Sequence, residues 1–117
     1  MKPAQIKPSI TANVLDQIDV RVGTILSVTD VPNSEKLVGL EVSFGDHKRI
    51  VFAGMKRERD NPREIEGKQA LFVVNLAPRK MAGMTSEGVL FDIGYADGIT
   101  PALATPEAHV PDGTRAG

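Results

Sequence analysis

Residues 75–88 read Asn-Leu-Ala-Pro-Arg-Lys-Met-Ala-Gly-Met-Thr-Ser-Glu-Gly. Arg79 and Lys80 are adjacent cations, flanked by the soft apolar side chains Met81 and Met84. Pro78, Gly83 and Gly88 restrict the shape of the segment, and Ser86 and Glu87 add a short polar pair. A stiffened loop presenting paired cations beside apolar groups suits a ligand that carries phosphates and a stackable surface. The competing reading is a solvated hairpin loop whose charges serve solubility alone.

The loop is positioned by what flanks it. An apolar run, Ala70 to Val74, ends at Asn75, and a second, Val89 to Phe91, begins after Gly88. Upstream, Ile18, Val20 and Val22 alternate with Asp19 and Arg21, and the phase breaks at Gly23 before Ile25, Leu26 and Val28. This predicts a long first strand that bends at its glycine and serves two sheets. Asp30–Lys36, with Pro32 and Asn33, reads as a turn. Val38 to Phe44 alternates as a second strand, Gly45-Asp46 is a tight connection, and Lys48 to Ala53 is the third strand of a hairpin. Pro62 and Glu64 predict a short helix ended by Gly67. Gln69–Val74 is a buried fourth strand and Val89–Ile93 a fifth.

Three strands, a short helix and two more strands give an all-β, five-stranded OB-fold barrel over residues 14–117, preceded by an N-terminal arm at 1–13. Such barrels place ligands on strands 2 and 3 between the 1–2 and 4–5 loops. Here those loops are Asp30–Lys36 and Leu76–Glu87, and the hairpin between them carries Lys48 and Arg49. The tail, Gly94–Gly117, reads as short extended pieces with turns at Asp97-Gly98 and Pro111-Asp112-Gly113.

Composition bounds the function. The chain has 117 residues, 25% of them charged, and a net charge of -1. A non-specific nucleic-acid binder is usually strongly basic, so any RNA site must be local. His47, Lys48, Arg49, Lys56, Arg57 and Arg59 crowd one stretch, predicting a basic face on a neutral protein. Aromatics are only 4%, which argues against a base-stacking platform and favours recognition of folded RNA by shape and backbone. The absence of cysteine excludes disulfides and thiolate metal sites and agrees with a reducing cytoplasm. No apolar run approaches the roughly 18 residues that cross a bilayer.

Catalysis finds little footing. His47 and His109 are the only histidines and lack metal-ligand spacing, so no metal or cofactor is expected. Ser86 is not in a nucleophile elbow, and Gly67-Lys68 lacks the upstream glycine of a phosphate loop. The reading is a binding protein and not an enzyme.

The motifs Ile18-Asp19-Val20-Arg21-Val22-Gly23-Thr24-Ile25, Pro32-Asn33-Ser34-Glu35-Lys36-Leu37, Asn75-Leu76-Ala77-Pro78-Arg79-Lys80-Met81, Ser86-Glu87-Gly88 and Pro111-Asp112-Gly113-Thr114 together give the chain a family likeness. It resembles the stand-alone tRNA-binding domain family, which includes short dimeric tRNA-binding proteins and CsaA-like export chaperones. The same module is appended to some methionyl-tRNA synthetases. Val31 stands where the family often has His, and Ala82-Gly83-Met84 lacks a basic residue often found there. The resemblance implies an OB-fold homodimer that binds tRNA, with a synthetase as a further partner. The alternative it implies is a chaperone holding unfolded polypeptide in a dimer groove.

By motif or loop position the RNA surface would draw on Lys36, Lys48, Arg49, Asn75, Arg79, Lys80, Met81, Ser86 and Glu87. For several the structural reading stands beside the functional one. Asn75 either reads a base edge or caps strand 4. Ser86 and Glu87 either touch the ligand or brace the loop. Met81 either packs on a base or forms the core rim, and Lys48 is either a phosphate contact or a solvated cation.

Overall fold

One strand organises the molecule. β1 (Val20–Asp30) pairs along its first half with β4 (Gln69–Val73), from Val20↔Val73 to Thr24↔Gln69. Along its second half it pairs with β2 (Val38–Ser43), from Thr24↔Ser43 to Asp30↔Val38, with a register shift between Ile25 and Ser27. The long strand expected from the sequence serves two partners, but within one sheet and not in two, because β2, β1 and β4 are hydrogen-bonded in a single continuous order. Gly23 sits where the partners change. A Cβ there would lie 2.6 Å from Val42 and 2.9 Å from the Phe44 ring, so only glycine lets β1 cross β2 this closely.

The computed structural model describes residues 2–117. β3 (Lys48–Ala53) forms a hairpin with β2, and β7 (Val89–Leu90) adds to the other edge of β4, giving the order β3-β2-β1-β4-β7. β10 (Arg115–Ala116) lies on the free side of β1 at Val20 and Arg21. The result is a nearly closed antiparallel barrel of the OB type. Its inward positions are aliphatic and solvent-free: Ile25, Leu40, Val42, Val51, Ile65 and Phe72 are all fully buried. Each such side chain contributes about 1.5–3 kcal/mol by leaving water. Phe72 meets Phe44 edge to face, with ring centroids 5.5 Å apart.

Three elements differ from the sequence expectation. The helix between strands 3 and 4 is a single 3-10 turn, Pro62–Ile65, which delivers Ile65 into the core. The 75–88 loop holds a hairpin of its own, β5 (Arg79–Met81) with β6 (Met84–Ser86). The fifth strand is not continuous to Ile93. It leaves β4 after Leu90, and β8 (Asp92–Ile93) pairs with β9 (Ala102–Leu103) instead. The cause is competition for one edge: the Leu71 carbonyl accepts from Phe91 N–H, but the Leu71 N–H is already donated to Ala104 O at 2.9 Å.

The arm expected over 1–13 is exposed through its described part and runs into α1 (Ala12–Leu15), a single turn capped by Thr11. Met1 lies outside the described residues. The arm touches the tail where Ala4 N–H donates to Asp97 Oδ1. No helix among the described residues is long and apolar enough to cross a membrane.

Asp19 ties the start of β1 to the chain's end. Its carboxylate accepts from Arg21 at 2.7 Å and from Arg115 at 3.3 Å. The Arg21 guanidinium, with help from Arg115 and against partial burial, holds the Asp19 carboxyl below its ordinary value. A carboxyl whose pKa is lower folded than unfolded stabilises the fold above its unfolded value of about 3.9 and loses that contribution as pH falls through the folded value. Asp19→Asn is therefore expected to destabilise by about 1 kcal/mol at pH 7. The deficit should shrink as urea melts are repeated below about pH 4. A deficit independent of pH would reject the ion-pair account.

Candidate nucleic-acid interface

The segment 75–88 is fastened at its base by two side chains. Asn75 accepts from Asp19 N–H at 2.8 Å and donates to Gln17 O at 2.6 Å, extending the β4–β1 ladder one step past Val73. Arg49 donates one guanidinium nitrogen to Val74 O at 2.6 Å and to Glu87 O at 3.2 Å, so a single group clamps both ends of the loop. Its Nε donates to His47 Nε2, and the guanidinium stands 5.9 Å above the Phe44 ring.

Ser86 and Glu87 then close the barrel. Ser86 Oγ accepts from Phe52 N–H and donates to Gly88 O, both at 3.0 Å, and the residue is buried. Glu87 accepts from Ile50 N–H through its side chain at 3.0 Å and donates its own N–H to Ile50 O at 2.9 Å. These bonds satisfy the outer edge of β3 where no regular strand pairs with it.

Beyond this seam the β5–β6 hairpin turns through Ala82 and Gly83, both at positive φ (51° and 79°). Two-residue hairpin turns of the primed type require that conformation. Ala82, the one non-glycine residue so strained among those described, costs about 1 kcal/mol there. Met81 packs against Val31, Leu37 and Phe52, so the hairpin leans on the 31–37 turn. Met84 lies across Phe52 on the other side, beside Ile50. Alternation along the ribbon sends Lys80 and Thr85, which pair with each other, to the opposite face.

The structure sorts the cations into two groups. Arg21, Lys56, Arg57, Arg59, Arg63 and Arg115 pair with carboxylates. Lys56 bridges Asp30 and also donates to the carbonyls of Val31 and Ser34, pinning the 31–37 turn from below. Lys36, Lys48, Arg79 and Lys80 are exposed and form no ion pair among the described residues, and the same holds for Lys2 and Lys7 on the arm and Lys68 before β4. The basic face expected from the 47–59 stretch is thus corrected: Lys56, Arg57 and Arg59 are spent on Asp30, Glu35 and Glu64 because the intervening turns fold acids onto them.

Of the expected site residues, Asn75, Arg49, Ser86 and Glu87 are engaged in holding the loop, and Met81 forms the rim between hairpin and turn. Arg79 borders Gly54, and the Lys36 carbonyl lies beside that same glycine, so both loops meet at one end of the barrel. Lys48 stands apart, on the outer face of β3 two residues before Ile50. Sequence reasoning missed the rest of that outer face: Gly39 and Glu41 of β2 with Ile50 and Phe52 of β3, which line a shallow groove together with Met84. The signal was present, since strand alternation places all four outward. No group of His, Asp or Glu among the described residues could hold a metal.

The family comparison fits this geometry. A family model described as "Putative tRNA binding domain" matches residues 20–115, and the chain belongs to that family. A methionine–tRNA ligase from Parabacteroides distasonis is 36% identical over 113 residues, covering 97% of this chain, which spans only 16% of the ligase. Among solved structures, a MetRS-related protein from Pyrococcus horikoshii superposes with a TM-score of 0.86 at 30% identity, over 95% of this chain and 100% of that one. A CsaA chaperone protein from Picrophilus torridus gives 0.80 at 28% identity, over 93% and 100%.

Ser86→Ala leaves the buried Phe52 N–H without a partner. It is expected to destabilise by about 1–3 kcal/mol and to speed hydrogen exchange at Phe52 more than at Leu40. Uniform acceleration across the barrel would show that Ser86 is not a local latch.

Proposed function

We propose that this chain binds folded tRNA through the Arg79–Lys80 hairpin, with Lys36 and Lys48 extending the cationic track, and performs no catalysis. The observation that carries this reading is the sorting of charge: the cations left without carboxylate partners include the adjacent pair on the projecting hairpin and the one on the neighbouring turn. Unpaired surface cations that replace condensed counterions on phosphates gain affinity by ion release. Family membership and the synthetase relative support tRNA as the polynucleotide, in the cytoplasm and with a synthetase as a further partner.

Arg79→Glu/Lys80→Glu is expected to weaken tRNA binding by on the order of 10-fold or more at moderate salt and to lower the log–log salt slope by about 2. Filter binding or anisotropy across a salt series reads both quantities. An unchanged slope in the double variant would remove the hairpin from the site.

The functional unit in this reading is a homodimer. Ile6 on the arm and Tyr95 in the tail, which Ala4 and Asp97 join, are 99% and 75% exposed, and Ile93 at the end of β8 is 54% exposed. A second copy laid over these exposed apolar side chains, taken together as an apolar strip, would shield them. Light scattering at micromolar concentration should give twice the 12.6 kDa chain mass; a monomer would refute the dimer. The same strip favours a second reading, capture of extended polypeptide, which the likeness to a CsaA chaperone supports. It requires suppression of client aggregation with tRNA absent, and no protection would discard it.

A further inference from the structure

The groove on the outer face of the barrel carries a carboxylate that the fold does not use. Ser27 and Thr29 of β1, Gly39 and Glu41 of β2, and Ile50 and Phe52 of β3 form its floor, and Met84 overhangs it from the hairpin. Gly39 offers no side chain, and the Phe52 ring lies over it, with one ring carbon 3.2 Å from where a Cβ would stand. Ile50 and Met84 are 38% and 46% exposed, leaving a flat apolar slot open to solvent.

Two carboxylates border this slot, and they differ. Asp30 is held by Lys56, which also grips two backbone carbonyls. The Glu41 side chain makes no ion pair or hydrogen bond among the described residues, although the residue is half-buried between Ser27 and Ile50 in the sheet. An ionised carboxylate only accepts, and it repels phosphate. On the same sheet face as Lys48, one step along the β2–β3 ladder, it is complementary to the part of a polynucleotide that donates hydrogen bonds, which is a base edge.

Resting on the tRNA-binding reading, we propose that this groove seats one unstacked guanine of the bound RNA, with Glu41 accepting from its Watson–Crick edge. Guanine is the base whose edge presents two adjacent donors, N1–H and the 2-amino group, matched to the two oxygens of a carboxylate. Adenine and cytosine set an acceptor beside their amino group, and uracil flanks its N3–H with two carbonyls, so each opposes one carboxylate oxygen. The apolar floor covers the base plane, and the hydroxyls of Ser27 and Thr29 stand at the same slot to meet the guanine carbonyl.

The test titrates the labelled full chain with GMP, IMP, AMP, CMP and UMP, following backbone amide shifts. GMP should move Gly39, Glu41, Ile50 and Met84 saturably. IMP, which lacks the 2-amino group, should bind about 10-fold more weakly, and the others more weakly still. Glu41→Gln should abolish the preference for GMP over IMP while leaving the tRNA salt slope unchanged, since that slope reads the phosphate contacts. Equal response to all nucleotides, or shifts confined to residues outside the groove, overturns the proposal. So does displacement of GMP by an apolar peptide that binds the groove more tightly, which would assign the slot to polypeptide. Tight, salt-dependent tRNA binding without guanine preference fails the groove alone. Selective GMP binding without tRNA binding fails the functional reading alone.

Discussion

The seam between β3 and residues 86–88 is the constraint on which the molecule turns. A small barrel must satisfy the outer edge of its third strand, and here there is no long fifth strand to do so. Instead Ser86 and Glu87 supply side-chain acceptors to the N–H groups of Phe52 and Ile50, and Glu87 returns a backbone donor to Ile50. The buried Phe52 amide left open would cost about 1–3 kcal/mol, a sizeable share of a small domain's net stability. Because the closing residues are also the end of the hairpin, the hairpin's placement is fixed by the same bonds that close the core. The projecting cations are therefore carried on a rigid mount despite lying in a long loop.

A second consequence concerns charge. A chain of net charge -1 has no global attraction for polynucleotide. Pairing resolves this locally. Asp30, Glu35 and Glu64 neutralise the cations that stabilise turns, and Arg49 is turned inward onto carbonyls. Apart from Lys2 and Lys7 on the arm and Lys68 before β4, what remains outward is Lys36, Arg79 and Lys80 at one end of the barrel and Lys48 on β3. Field strength near a surface falls within a Debye length of about 8 Å at physiological salt, so this local arrangement outweighs the whole-chain sum.

Much of the barrel was legible in the sequence because alternation is a strong signal. The phase break at Gly23 announced the bent β1, and the Val38–Phe44 and Lys48–Ala53 alternation announced the hairpin. The β5–β6 hairpin was hidden because its turn is Ala82-Gly83. Alanine gives no hint of positive φ, where Asn-Gly would have declared the turn at once. The early exit of the fifth strand was also hidden, since it depends on Ala104 taking the Leu71 N–H from far along the chain. At the site, residue types announced Arg79 and Lys80, but sequence could not separate clamp from ligand contact. Arg49 and Lys48 are neighbours of equal charge, and only their opposite directions from β3 decide that one grips carbonyls while the other meets solvent.

The same alternation explains why the outer face escaped notice. Reading β2 and β3 for their inward set discards Gly39, Glu41, Ile50 and Phe52 as solvent positions. Yet a solvent face of a five-stranded barrel is ordinarily polar, and this one is apolar around a single unused carboxylate. Glu41 stabilises neither the seam nor a turn, and the proposed guanine seat would give its carboxylate a partner from outside the chain. In the proposed reading the barrel divides its work by face and edge: acceptors at the seam hold the hairpin, cations on the hairpin and turn would meet phosphate, and the carboxylate on the outer sheet would discriminate between bases.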